Sequence, residues 1–370
     1  DHDIDPFLGW QDFGVALTML GPLGRTMLRH TRSLLREYQN AGLLNEKLAR
    51  RTVTPATITL DTQEKTVYER LQSYCADLAE HIAANMESGE QRAAIGFYLS
   101  FLRLRFSSSF HALRQTFLRR LDKIDLTLKH QERSKASDWD VSAIDSLEEL
   151  EEDSETEADL ASLVLKNRQT GDLVWEKEEV YKLLSHMDDL PDLPSKTRQL
   201  FADIDRRRDP STRKIRQMVV FTRYAETMQD LGGRLSTRIP DCPIATFSGS
   251  GGFIRWGNTA EWEQVGRSRV KQEFLADNIE ILLCTDAAAE GLNLQTADLL
   301  INFDLPWNPM MLEQRIGRID RIGQKHDDIY VRNYLYQGSV EEAVYVRLFK
   351  RFTEALNITG EQQFSILPIQ

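Results

Sequence analysis

Residues 313–324 read Glu-Gln-Arg-Ile-Gly-Arg-Ile-Asp-Arg-Ile-Gly-Gln, with an arginine and an isoleucine each recurring at every third position. A guanidinium is a planar fork of donors that meets two oxygens of a phosphate or carboxylate at once. On a helix, at about 100° per residue, Gln314, Arg318 and Arg321 fall within roughly 60° of one another. Ile316, Ile319 and Ile322 fall on a different arc and predict a core contact. Gly317 removes a side chain beside the cationic arc, and Gly323 reads as the helix stop. Arg315 points along the apolar arc, so it is expected to snorkel or to find a carboxylate. Such a segment can bury one side and aim a glutamine and two guanidiniums at a nearby group. Taken alone it is equally an amphipathic helix with a solvated basic face, so its neighbours must decide.

Three nearby stretches carry small and polar residues directly after apolar runs. Ile-Arg-Gln-Met-Val-Val-Phe (215–221) is followed by Thr222 and Arg223; 244–248 ends in Ser248 and continues through Gly249 and Ser250; 279–284 is followed by Thr285 and, six residues on, Gly291. A fourth apolar run, 298–304, precedes the arginine segment, and a fifth spans 329–335. Helical patterns alternate with these runs at roughly 223–236, 259–276 and 339–356. Thr222 can cap the first of these helices, and Ser339 with Glu342 forms a capping box for the last. Short strands that are apolar throughout, alternating with helices, predict a parallel sheet covered on both faces, with sites at the carboxyl ends of the strands. Residues 210–356 are therefore expected to form an α/β domain, with 357–370 as a tail.

The upstream part differs in character. Residues 52–60 are β-branched and read as a short strand or extended linker, demoted to an edge by Pro55. Asp61 with Glu64 predicts a helix start, and 61–209 is expected to be a helical region. Net charge is −11, but 138–159 alone holds eleven acidic residues and no Lys or Arg, leaving 46 charges of each sign elsewhere. The acidic tract predicts a solvated loop, and the balance elsewhere leaves nucleic acid admissible as a partner. The three cysteines (Cys75, Cys242, Cys284) have no C-x-x-C spacing, so neither a disulfide framework nor a zinc site is implied. No apolar run approaches membrane-spanning length and nothing resembles a signal peptide, so no membrane partner and a reducing, intracellular compartment are expected. The chain begins Asp-His-Asp, and we expect it to be part of something longer.

The run Leu-Leu-Cys-Thr-Asp-Ala-Ala-Ala-Glu-Gly-Leu-Asn-Leu-Gln through Leu-Glu-Gln-Arg-Ile-Gly-Arg-Ile-Asp-Arg-Ile-Gly-Gln (282–324) closely resembles motifs V and VI of Swi/Snf-type DNA-dependent ATPases of helicase superfamily two. Arg315 and Asp320 make it more similar to the bacterial RapA-like branch, and 218–224 resembles motif IV. The resemblance covers about 140 residues strongly and extends weakly to 27–35 and 52–74, so that 1–60 would be the end of a first helicase lobe and its linker. It implies a RecA-like second lobe with a large all-α insertion, in a two-lobed motor that binds ATP and Mg2+ between its lobes and moves on double-stranded DNA in the bacterial cytoplasm. Arg318 and Arg321 match the arginine fingers that meet the charge spread over a transferring γ-phosphate. Gln314, Glu290, Gly291 and Asn293 match nucleotide-linked positions. Thr222, Arg223, Ser248, Gly249, Ser250 and Thr285 match positions that touch DNA phosphates. The partners implied are duplex DNA and the first lobe, with the helical region available to dock a protein. An RNA or single-strand helicase lobe, or a non-catalytic docking module, are the other readings.

The sequence also departs from the family pattern. It contains no G-x-x-x-x-G-K-[ST]; Gly21-Pro-Leu-Gly24-Arg25-Thr26 is too short and has Arg in place of Lys. No strand ends in the acidic pair that holds magnesium. We therefore expect this stretch alone to hydrolyse no ATP. Deleting 138–159 should leave the fold intact, with the thermal midpoint shifted by no more than about 2 °C; loss of cooperative unfolding would show the tract to be structural.

Overall fold

The computed structural model describes residues 38–43, 48–83, 89–133, 164–165, 168–259, 261–286, 292–306, 308–321, 323–343 and 345–347. The acidic tract, the 27–35 stretch and the 357–370 tail lie outside them.

The strands of the C-terminal half are apolar on both faces because both faces are covered. β2 (Met218–Phe221), β6 (Ile281–Cys284) and β7 (Leu299–Asn302) are buried at every position. With β1 (Arg50–Ile58), β3 (Ile244–Ser248), β4 (Gly251–Arg255), β5 (Glu263–Val265) and β8 (Asp328–Tyr336) they form, among the described residues, an eight-stranded sheet in the order β1-β8-β7-β2-β6-β3-β4-β5. The pairings from β1 to β3 are all parallel, and β4 and β5 continue the sheet antiparallel.

Side chains alternate between two cores, as the twofold period of a strand requires. Met218, Val220, Ile244, Ile281, Leu283, Leu299 and Ile301 join one core. Val219, Phe221, Ala245, Phe247, Leu282, Cys284 and Leu300 join the other. The second core is closed by α7 (Arg267–Leu275), through Val270 and Phe274, and by α8 (Pro309–Ile319), through Leu312, Ile316 and Ile319. The first is closed by α6 (Ala225–Arg238) and by the upstream helices: α1 (Thr62–Ala83), α2 (Gly89–Ser108), α3 (Phe110–Arg133), α4 (Thr170–Asp188) and α5 (Ser195–Asp205). The helical region thus packs onto the sheet and shares its core.

Three differences from the sequence expectation have physical causes. First, β1 belongs to this sheet, although 1–60 was assigned to a first lobe and linker; it pairs in parallel register with β8 from Arg50–Asp328 to Ile58–Tyr336. It occupies an edge, where Pro55, without an N–H, is tolerated. Second, the loop after β3 is a hairpin strand, and the helix expected at 259–276 shrinks to Arg267–Leu275. Gly252 permits this because a Cβ there would lie 2.7 Å from Val270. The hairpin also employs both tryptophans: Trp256 Nε1 donates to Glu263 at 3.0 Å, and the Trp262 ring lies over Gly232 of α6. Third, α6 starts one residue after Tyr224, with no side-chain cap from Thr222.

Buried polar groups stitch the helical layer together. Asp61 and Glu64 form the expected box, each accepting the other's N–H at 2.9 Å. Glu64, fully buried, also accepts from the N–H and hydroxyl of Ser195, so one carboxylate serves the starts of α1 and α5. Lys196 is buried, with Nζ donating to the carbonyls of Ser107 and Phe303 and to Glu341, whose carboxyl is pushed up to about 7 by burial against the pull of that ammonium. Glu176 accepts from Tyr74, Arg120 and Arg168. Burial would raise its carboxyl, but the two guanidiniums hold it below the usual range. Its stabilising effect is therefore present above the ordinary carboxylate pKa and is lost as pH falls through the lowered value. Glu176→Ala strands two buried cations and should cost about 3–5 kcal/mol in urea unfolding at neutral pH.

Candidate functional site

The strand order decides which polar residues can meet. Phe221 lies opposite Cys284, and Cys284 opposite Phe247, so the chain leaves β2, β6 and β3 at neighbouring points on the carboxyl edge of the sheet. Thr222–Arg223, Thr285 and Ser248–Ser250 are thereby brought side by side. Their side chains differ in what they can offer. Thr222 is fully buried and donates its hydroxyl to Asp304 Oδ2 at 2.6 Å; the Ser108 hydroxyl donates to the same oxygen at 2.5 Å. This corrects the expectation of a phosphate contact at Thr222, because the hydroxyl is enclosed and committed to a carboxylate. Asp304 also accepts the Arg223 N–H at 2.9 Å, so it fixes the backbone at the end of β2.

Arg223 itself is 7% exposed, and its Nε and Nη1 have no hydrogen-bond partner among the described residues. Its guanidinium stands 5.6 Å from the Tyr224 ring, which a second cation, Arg105, covers at 4.0 Å. Thr285 is buried, gives its N–H to Phe247 O at 3.1 Å, and its hydroxyl has no partner among the described residues. The hydroxyls of Ser248 and Ser250 lie 2.7 Å apart, with Gly249 and Ser250 exposed at the tip of the turn. Unpaired buried donors are costly in a folded protein, and Arg223 and Thr285 place such donors on neighbouring strand ends.

The arginine helix lies on the flank of the sheet. Asn308 caps α8 by accepting the Met310 N–H at 2.9 Å. Ile316 and Ile319 are fully buried as expected; Ile322 lies outside the described residues. Arg315, almost fully buried, finds carboxylates: its fork is bidentate to Asp286, and Nη1 donates to Asn302 Oδ1 at 3.1 Å and to the Asp304 carbonyl at 2.8 Å. Its guanidinium sits 5.4 Å over the Phe221 ring. The helix ends at Ile319 with Asp320 as its C-cap, earlier than Gly323, which takes φ +88° in the following turn.

Arg318 and Arg321 are consequently not at the carboxyl edge with the other residues. The Arg318 carbonyl accepts the Leu294 N–H at 2.9 Å, and Gln324 Nε2 binds the carbonyls of Ala297 and Ile319 at 3.0 and 2.7 Å. These contacts place the end of α8 beside the segment that leads into β7. Arg318 is half-buried, Arg321 is exposed with Nε on the Gly317 carbonyl at 2.8 Å, and Gln314 is exposed. Asn293 is half-buried beside Leu294, its Oδ1 without a partner among the described residues. Glu290 and Gly291 lie outside the described residues. The candidate residues therefore fall into two groups, a strand-end group of unpaired donors and a helix-end group of arginines, joined through Asp286, Asp304 and Arg315. Of these, Arg315 was expected from sequence to snorkel or find a carboxylate, because it misfits the polar arc; Asp286, Asp304 and Gln324 were not singled out.

Among the described residues no cluster of three or more His, Cys, Asp or Glu could hold a metal, and no helix is long and apolar enough to cross a membrane. Residues 196–323 match the family model described as helicase conserved C-terminal domain. The chain is 33% identical over 154 residues to the uncharacterized ATP-dependent helicase YqhH of Bacillus subtilis, covering 42% of this chain and 25% of that protein. It is 37% identical over 141 residues to the RNA polymerase-associated protein RapA of Pseudomonas putida, covering 38% of this chain and 13% of that one. The chain thus matches a quarter or less of the length of these relatives. Among solved structures, the C-terminal part of the Fun30 ATPase domain aligns with 15% identity and a TM-score of 0.46, over 85% of this chain and 99% of that one.

If the Thr222 hydroxyl serves Asp304, Thr222→Val should lower unfolding free energy by about 1–3 kcal/mol by leaving an acceptor short of a buried partner. The same variant should leave phosphate-backbone affinity unchanged once folded, which a nucleic-acid titration checks.

Proposed function

We propose that this chain holds the second lobe of an ATP-driven motor that moves on double-stranded DNA: residues 196–323 match the helicase conserved C-terminal domain, and the chain is similar to an ATP-dependent helicase and to RapA. The observation that carries this reading is the pair Arg318 and Arg321 at the end of a helix that Arg315 and Glu313 anchor to Asp286 and Arg51. Phosphoryl transfer needs little covalent help from protein; it needs positive charge placed where negative charge spreads. Two guanidiniums on a rigid helix supply this to a triphosphate held by a partner lobe, and ATP with Mg2+ supplies the reacting phosphate and the neutralising cation. The chain's described carboxylates are engaged with its own cations or backbone at this site, so we assign the magnesium ligands to the first lobe.

The strand-end group has a different task. Arg223 and Thr285 present unmatched donors, and Gly249 and Ser250 offer exposed backbone beside them. Such groups grip a phosphate backbone without reading bases, which suits a motor that must travel over any sequence. Separation of the two groups fits a lobe that meets nucleotide on its flank and nucleic acid at its sheet edge. Asp286 and Asp304 join them: each abuts a strand-end residue and each holds Arg315 on the arginine helix. A displacement at either place is thus felt at the other through a rigid, buried connection.

The test uses the intact protein with its upstream half. Arg318→Ala or Arg321→Ala should lower DNA-stimulated kcat by about 10³-fold or more, with duplex affinity retained. Arg223→Ala should weaken duplex binding and flatten its salt dependence. Stimulation by single strands or RNA in preference to duplex would favour a helicase lobe of another kind.

A further inference from the structure

β1 lies outside the 196–323 match, yet one of its side chains reaches the arginine helix. Ala49 and Val53 of this segment face the core that Leu312, Ile316 and Ile319 of α8 help to form. By strand alternation Arg51, between them, faces the same way. Its side chain is 9% exposed, with Nη1 on Glu313 Oε1 at 2.7 Å, Nη2 on Glu313 Oε2 at 3.3 Å and Nε on Asp320 Oδ2 at 2.8 Å. Burial opposes this charge, but the two carboxylates prevail and raise the guanidinium further above its usual value.

Glu313 and Asp320 are seven residues apart, two helical turns or roughly 10 Å of rise, and so project from the same side of α8. One fork therefore ties the first half of the helix to its last residue. Asp320 is the C-cap, with φ −93° and ψ 73°, where the chain turns out of the helix. Arg321 hangs from that residue and Arg318 lies two before it. On the other flank Arg315 is held by Asp286. The helix is clamped from both sides, and the clamp on the β1 side acts at the point from which the two proposed fingers project.

We infer that Arg51 is a positioning residue for catalysis: its bridge between Glu313 and Asp320 sets the direction in which Arg318 and Arg321 are presented to the γ-phosphate. This rests on the finger reading above. A lysine cannot do the same, because a single ammonium lacks the flat fork that meets both carboxylates at once.

The intact protein is assayed as Arg51→Lys, and as a triple variant carrying Arg51→Gln, Glu313→Gln and Asp320→Asn, in which no buried charge is left unpaired. Both should lose about ten- to a hundredfold in kcat, as a displacement of about 1 Å at a reacting group does. KM for ATP and duplex affinity should stay within about twofold, and the thermal midpoint within a few degrees. In a background carrying both Arg318→Ala and Arg321→Ala, Arg51→Lys should add no further loss to the residual rate, because both residues it acts through are gone. Unchanged kcat in Arg51→Lys, alongside strong loss in Arg318→Ala and Arg321→Ala, overturns the positioning role and leaves the fingers standing. A further loss in the background lacking both fingers, or a kcat loss that disappears when the assay is cooled below the variant's midpoint, also overturns it. Full activity in Arg318→Ala and Arg321→Ala removes the finger reading itself.

Discussion

A single almost fully enclosed guanidinium, that of Arg315, gathers the ends of two central strands and the helix that crosses behind them. It takes both oxygens of Asp286 after β6, the amide oxygen of Asn302 at the end of β7 and the carbonyl of Asp304. A buried charge of this kind is tolerable only when every donor is answered, and that requirement fixes geometry more tightly than apolar packing does. Asn302 in turn accepts Arg315 while its amide donates to Asn333 Oδ1 at 2.8 Å, which carries the fixation to β8. Asp304 carries it the other way, to Thr222, the Arg223 backbone and Ser108 of the helical layer. The sheet's carboxyl edge and the arginine helix are thus tied together by one buried polar network.

The same logic extends to the helical layer. Apolar strands need cover, and here the cover on one face comes largely from upstream sequence. Glu176 with Arg120 and Arg168 holds α3 and α4 together, and Lys196 ties α5 to the residue after β7 and to Glu341. These charges lie away from both groups of candidate residues. Their role is to fix how the layer sits, since apolar contact alone tolerates sliding.

Local signals in the sequence were legible and distant ones were not. The all-apolar strands, the isoleucine arc of α8, the edge position of the Pro55 strand and the Asp61–Glu64 box all depend on neighbours within a few residues, and each appears as expected. The hairpin at 251–265 was hidden because its strands are very short and its permissive feature is a glycine facing Val270. Thr222 was placed at the surface because its partner, Asp304, is 82 positions away. Arg51 could not be connected to Glu313 across 262 residues without knowing that β1 joins β8.

Glu64 has an architectural consequence of its own. By accepting Ser195 it closes the neck of an excursion 131 positions long, so the chain re-emerges beside the place where it departed. An excursion with a sealed neck can grow or shrink at its far side without re-routing the strands, since the entropy of closing a loop rises only by about 0.6 kcal/mol per doubling of length. The scaffold is in this sense a socket. Evolution can fit attachments of differing size there while the sheet, and the charges arranged along its border, keep their places.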